Sequence, residues 1–421
     1  MKNLTFFLLL LIIPCLSKAQ QFVANYDESK MPAYTLPDPL VFNDGKAVVD
    51  KKGWEKRRAE IYSIFEKEVF GVVPQWKGKM KSTLVSQKTD AMGGLAKRKE
   101  VRIDLINGER KVSAMVLIYL PRNSKNAPIF LGYNFDGNHT TTNESDVLLP
   151  ESWVANNKAL GITDNKASEK SRGKSITQWS IKEIVSRGFG VATVYYGDID
   201  PDFNDGFKNG VHALFDAPRD SSSWGSVAAW AWGLSRIMDY IETDKDINAK
   251  KVIVIGHSRL GKAALWATAS DKRFAMSISN NSGCSGAALS RRIFGETVGR
   301  INNSFPHWFC DNYKKYNENE NQMPVDQHEL LALNAPRPLY VASAEEDLWS
   351  DPKGEFLSCV YASPVYELLG LKGFPAKEMP ALNTPIIGRI AYHIRPGKHD
   401  VTLYDWERYM DFAEKYFKSE K

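Results

Sequence analysis

The chain has 421 residues, 11 Trp, 17 Tyr and a formal net charge of +5. Short basic clusters such as Lys97-Arg98-Lys99 are interrupted by nearby acids, so no stripe suited to a phosphate backbone exists and nucleic acid is excluded as a partner. The length allows one large domain that buries most of its unfolded surface without disulfide staples.

Residues 1–19 read as an export signal: Lys2, an apolar run over 6–13, then Ser17-Lys18-Ala19 with cleavage before Gln20. The run is shorter than the ~20 apolar residues a membrane span needs, and no second stretch approaches that length. Cys15 follows Ile13-Pro14 rather than the small residues that lipid attachment prefers. The mature protein is therefore expected to be exported, periplasmic or extracellular, off the membrane and monomeric. Its cysteines, Cys284, Cys310 and Cys359, allow at most one internal bridge, and spacing does not choose the pair.

Residues 21–50 are rich in Pro, Asn and Asp and predict an extended arm. A helix follows, capped by Asp50, carrying Trp54, Ile61, Phe65 and Val69 and ended by Gly71. Runs over 101–106 and 112–120 flank Asn107-Gly108, a hairpin signature. Strands are then predicted over 127–133, 189–196, 251–255, 274–279, 339–342 and 390–394. Helices are predicted over 226–241 and 262–270, and a last one carries Trp406, Met410, Ala413 and Phe417 on one stripe. Strands apolar on both faces and joined by helices imply a parallel sheet with right-handed crossovers. Residues 20–421 thus form one doubly wound α/β domain. Two segments interrupt the alternation, near 138–178 and 284–335, and both leave strand carboxyl ends, where such sheets bind ligands. The first reads equally well as surface decoration.

The chemistry begins at Val252-Ile253-Val254-Ile255-Gly256-His257-Ser258-Arg259-Leu260-Gly261-Lys262. A buried strand enters a turn with small residues on both sides of a serine, and an Ala-rich helix leaves it. That is a nucleophile elbow: the turn strains Ser258 and lifts its hydroxyl to the top of the sheet. The second glycine stands one place later than in G-x-S-x-G. The Arg259 N–H is the expected oxyanion donor. The architecture expected is an α/β-hydrolase, a three-layer αβα sandwich around a mostly parallel sheet.

Such folds order their triad Ser, acid, His. Of the four histidines after Ser258, His393 lies inside the last strand and reads as core. His399 follows that strand through Arg395-Pro396-Gly397-Lys398, where a general base belongs. Strand 339–342 ends in Ser343-Ala344-Glu345-Glu346-Asp347, which supplies the acid; Asp347 is chosen, with Glu346 next. There is no HExxH, CxxC or His pair at ligand spacing and no phosphate loop, so neither a metal nor a nucleotide cofactor is expected.

Gly-His-Ser-Arg-Leu-Gly-Lys at 256–262 resembles the elbow of the glucuronoyl esterases, carbohydrate esterase family 15. Asp326-Gln327-His328 with Ala335-Pro336-Arg337, Asp347-Leu348-Trp349 and Lys398-His399-Asp400 are similar to further stretches of that family. The resemblance implies Ser258 as nucleophile, His399 as base, and Arg259 in the oxyanion hole through its backbone and guanidinium. It implies that Lys262 contacts hydroxyls of a glucuronoyl ring and that Trp349 packs on the sugar, with Glu296 a further sugar contact. Fungal members carry their acid in an E-S-G stretch where this chain has Asn281-Ser282-Gly283, so the acid must come from elsewhere, which supports Asp347. The implied substrate is an ester joining 4-O-methyl-glucuronic acid on xylan to lignin alcohols, cleaved without a cofactor. The rival readings are an acetyl-xylan or related deacetylase and, in another class, a non-catalytic carbohydrate-binding protein.

Overall fold

A computed structural model describes residues 22–418; the export signal read at 1–19, with Cys15, lies outside the described residues. Ten strands form one sheet: β1 Lys79–Asp90, β2 Ala96–Asn107, β3 Arg110–Pro121, β4 Ala127–Asn134, β5 Gly190–Tyr195, β6 Ile247–His257, β7 Met276–Asn280, β8 Leu339–Ala344, β9 Ile386–Ile387 and β10 Ile390–Arg395. Their order is β1-β2-β3-β5-β4-β6-β7-β8-β10-β9. The six strands from β5 to β10 across the middle run parallel, and antiparallel strands extend both edges. After β4 the chain steps to β5 on one side, then returns to β6 on the other. This reversal opens a crevice at the strand carboxyl ends, where α/β sheets bind ligands.

Alternation along the middle strands builds two cores. Val252 and Val254 of β6 pack with Trp54, Trp230, Leu260 and Trp266, from helices Lys51–Phe65, Ser226–Ile241 and Arg259–Ser270. Ile253 and Ile255 pack with Trp179, Trp406, Tyr409 and Met410, the last three from helix Leu403–Lys418. Helices therefore cover both faces, and the chain is an αβα sandwich of α/β-hydrolase type.

The helix capped by Asp50 runs from Lys51 to Phe65, with the Asp50 side chain accepting from the Gly53 N–H. The helix read over 226–241 has those bounds, and Val227, Ala231, Leu234, Met238 and Ile241 are all buried. The sequence reading missed strand β1 and helix Pro352–Leu368. Cys284, Cys310 and Cys359 are buried free thiols, so the single bridge the count allowed does not form among the described residues.

Candidate active site

β6 delivers its last residues into a turn that few side chains tolerate. Ser258 sits at φ +56°, ψ −129°, a strained conformation that persists because its surroundings fix it. A Cβ on Gly256 would lie 1.9 Å from the Leu260 carbonyl oxygen, so no larger residue fits two places before the serine. A Cβ on Gly261 would come 2.9 Å from the Ser282 Cβ, in the turn after β7. That contact explains the later second glycine: it lets the elbow helix approach the neighbouring turn. The helix starts at Arg259, whose N–H, like every first-turn amide, has no intrahelical acceptor.

β8 and β10 are parallel neighbours, with Arg395 opposite Ala344, so the loops after them emerge side by side. The Glu345 N–H donates to Arg395 O at 2.8 Å and the Glu346 N–H to Gly397 O at 3.0 Å, tying the loops together. Across this junction Nδ1 of His399 lies 2.6 Å from Oδ2 of Asp347. Asp347 is buried, whereas Glu345 and Glu346 are exposed. Burial pushes the Asp347 carboxyl up, but His399, through hydrogen bond and charge, together with Ser350 and Asn281, holds it below its usual range. The His399 ring lies 4.4 Å from that of His257, the two planes tilted by 42°. His257 donates from Nδ1 to Asn280 Oδ1 at 2.6 Å; burial, then the nearby His399, pushes its pKa down to about 4. His393 is fully buried between Tyr340 and Asp405, as its strand position predicts.

Ser258, Asp347 and His399 open onto one cavity of about 390 Å³, whose walls include Arg259, Lys262, Glu296 and Trp349. All seven residues singled out from the sequence thus meet in one place. Lys262 is buried in the first turn of the elbow helix, donates to Ser282 O, and has its Nζ 3.9 Å from Glu296 Oε2. Burial pushes the ammonium down and the Glu296 carboxyl up, each partly opposed by the other's charge. The Glu296 N–H donates to Trp349 O at 3.0 Å.

The Arg259 guanidinium lies over the Trp308 ring at 4.7 Å and pairs with Asp202. Asp202 also accepts from Trp308 Nε1 at 2.7 Å, Tyr196 Oη at 3.1 Å and His307 Nε2 at 2.9 Å. Beneath the floor, Glu355 accepts from the Gly283 N–H at 3.0 Å and Ser343 Oγ at 2.6 Å, and burial pushes its pKa up to about 8.

A family model for fungal glucuronyl esterases matches residues 175–370. A prokaryotic protein, carbohydrate esterase MZ0003, is 52% identical, with the match covering 93% of this chain and 91% of the relative. The glucuronoyl esterase structure from Solibacter usitatus superposes with a TM-score of 0.87 at 50% identity, over 92% of this chain and all of that one. The chain belongs to the glucuronoyl esterase family, carbohydrate esterase family 15. It is a carboxylic ester hydrolase. A 4-O-methyl-glucuronoyl methylesterase of Wolfiporia cocos is 28% identical, over 87% of this chain and 82% of its own.

Several parts of the esterase's site carry no local signal. Asp202 sits in a polar turn among other acids, and Glu355 inside a helix the sequence hides. Arg300, Ser304, Phe305 and Trp308 line the cavity from the second insertion, in which the sequence assigns a contact to Glu296 alone. The first insertion contributes none of the cavity's lining residues. It reaches the site from behind, where Gln178 Nε2 donates to Oδ1 of Asp400, next to His399, at 2.8 Å. Among the described residues no cluster of three or more His, Cys, Asp or Glu suits a metal ion, and no helix is long and apolar enough to cross a membrane.

Proposed function

We propose that the esterase hydrolyses esters between 4-O-methyl-glucuronic acid on xylan and lignin alcohols through a Ser258–His399–Asp347 triad. The observation that supports this most is one cavity joining the elbow serine and the Asp347-backed imidazole to a polar wall of Lys262 and Glu296 beside Trp349. With Nδ1 directed at Asp347, His399 uses Nε2 to take the Ser258 proton as Oγ adds to the ester carbonyl. The oxyanion is met by the Arg259 N–H and guanidinium. Collapse expels the alcohol, protonated by His399, and leaves the uronic acyl group on Ser258. Water then attacks, again with His399 as base, releasing the uronic acid. Lys262 and Glu296 offer a donor and an acceptor to ring hydroxyls, whereas an acetyl group would leave most of about 390 Å³ unfilled. The signal pattern at 1–19 supports export, and on this reading the enzyme acts as a monomer without a cofactor.

The test is hydrolysis of benzyl glucuronate against an aryl acetate by the purified mature protein. A strong preference for the glucuronate ester is expected, and Ser258→Ala abolishes it. Activity on the acetate alone would discard the uronic substrate, and turnover surviving in Ser258→Ala would discard the triad.

A further inference from the structure

The loop that carries Glu296 is held from outside by the amino-terminal arm. The Gly295 N–H donates to Asn25 O at 2.9 Å, and the Tyr26 ring meets Phe294 edge-on at 6.1 Å. Glu28 accepts from Arg292 at 2.6 Å, while Arg292, 1% exposed, donates from Nε to Asp351 at 2.7 Å. A buried cation thus anchors the arm to the turn that follows Trp349. Beyond this anchor Phe22 stands edge-on to Trp349, with ring centroids 6.2 Å apart, and the Arg300 guanidinium lies 5.5 Å from the Phe22 centroid. Arg300 and Trp349 line the catalytic cavity, so Phe22 continues that wall outward.

Fourteen large apolar side chains are exposed among the described residues; Phe22, Val23 and Tyr26 on the arm and Leu348 and Trp349 on the adjoining turn make up five of them. Apolar surface gathered beside a polar cavity marks a contact surface. Its side of the cavity identifies the occupant. The arm grips the loop of Glu296, on the acyl side, whereas the alcohol departs beside His399, which protonates it.

We propose that Phe22, standing against Trp349 at the cavity's rim, forms a carbohydrate subsite just outside the catalytic cavity that takes the pyranose linked to the uronic acyl group. This rests on the glucuronoyl reading above. A pyranose presents an apolar C–H face to an aromatic ring, and the Arg300 guanidinium beside Phe22 supplies donors for the sugar hydroxyls.

The experiment compares wild type, Phe22→Ala and Phe22→Trp on methyl and benzyl glucuronate and on the methyl ester of a glucuronoxylo-oligosaccharide. Phe22→Ala is expected to raise KM for the oligosaccharide ester about five-fold, with kcat unchanged and both single-ring esters within about two-fold of wild type. Phe22→Trp, which keeps a ring, is expected to retain the wild-type KM. An unchanged oligosaccharide KM overturns the subsite. So does an equal rise on the single-ring esters, which would make the arm only a prop for Glu296. A change that follows benzyl against methyl would assign the ring to the alcohol and overturn it too. Wild-type enzyme idle on every glucuronate ester would instead refute the substrate reading on which the subsite rests.

Discussion

Asn281 donates from Nδ2 to the same Asp347 oxygen that faces Nδ1 of His399, at 2.8 Å and 2.6 Å respectively. An amide on the loop after β7 therefore braces an acid on the loop after β8. Both hydrogen bonds favour the ionised carboxyl, which keeps Asp347 charged against the cost of its burial. Asn281, where the resemblance to fungal members implies an acid, instead holds Asp347 from the side.

That geometry makes the two positions exchangeable. Asp347→Asn should lower kcat by about 10³–10⁴-fold, because an amide does not balance the imidazolium. Adding Asn281→Glu to Asp347→Ala, which does empty the place of the carboxyl, should return at least about ten-fold over Asp347→Ala alone, since the longer side chain reaches that place. Glu346→Gln, at an exposed position, should stay close to wild type. Steady-state kinetics on one glucuronate ester checks all three; a large loss in Glu346→Gln would move the acid.

Arg259 and Asp202 should behave as a unit. Burial pushes Asp202 up, but its hydrogen bond from His307, the Arg259 charge and the bond from Trp308 hold it at about 2, so it is an anion wherever the enzyme works. Asp202→Asn releases the guanidinium from its partner beside the nucleophile. The expected result is a fall in kcat of about 10–100-fold with KM nearly constant, since the guanidinium acts on charge that develops only in the transition state. In an Arg259→Ala background the Asp202 substitution should add little; full additivity in a double-mutant cycle would separate the two residues.

The elbow, its histidine and the parallel strands were legible because each obeys a local rule. A Val/Ile run ending at Gly256-His257-Ser258 has few other uses, and a histidine in a loop after the last long strand has one obvious partner. Asp347 was chosen over Glu345 and Glu346 by its place after the strand end, and the Asn at 281 added support to that choice. Strand β1 stayed hidden because it is an edge strand: Leu84 and Val85 are both exposed, so no alternation marks a buried face. Helix Pro352–Leu368 contains Pro364, which reads as a break, and Asp351 caps it from a left-handed conformation that sequence does not announce. Asp202 and Glu355 are functional candidates only by virtue of partners 57 and 72 positions away, at Arg259 and Gly283. Long-range pairing of that kind leaves no periodic trace.

Glu355 gives the stability a pH dependence whose sign is fixed. Its folded pKa is raised by burial from 4.5 to about 8, so the folded state binds the proton more tightly than the unfolded chain. Its contribution is complete below the unfolded value and is lost as pH rises through the folded one. Wild-type Tm should therefore decline between about pH 5 and 8 through this group, and Glu355→Gln, which stays neutral, should decline less. Melting curves at the two pH values decide it; identical slopes would mean that Glu355 is ionised throughout.

Lys262 separates a uronate pocket from a general esterase. Lys262→Met keeps the length of the buried stem but removes the donor facing Glu296 across 3.9 Å. Without that charge Glu296, already raised by burial, is pushed further toward its neutral form, so the wall loses a donor and an anion in one step. For a glucuronate ester, kcat/KM should drop by about 10²-fold, the scale expected when a buried polar site loses its hydrogen-bond partner. Hydrolysis of an aryl acetate, whose acyl group does not reach the wall, should change by less than about three-fold, because the elbow and its histidine are untouched. The ratio of the two rates is the measurement. Equal losses on both esters would make Lys262 a structural support for Ser282 O rather than a sugar contact.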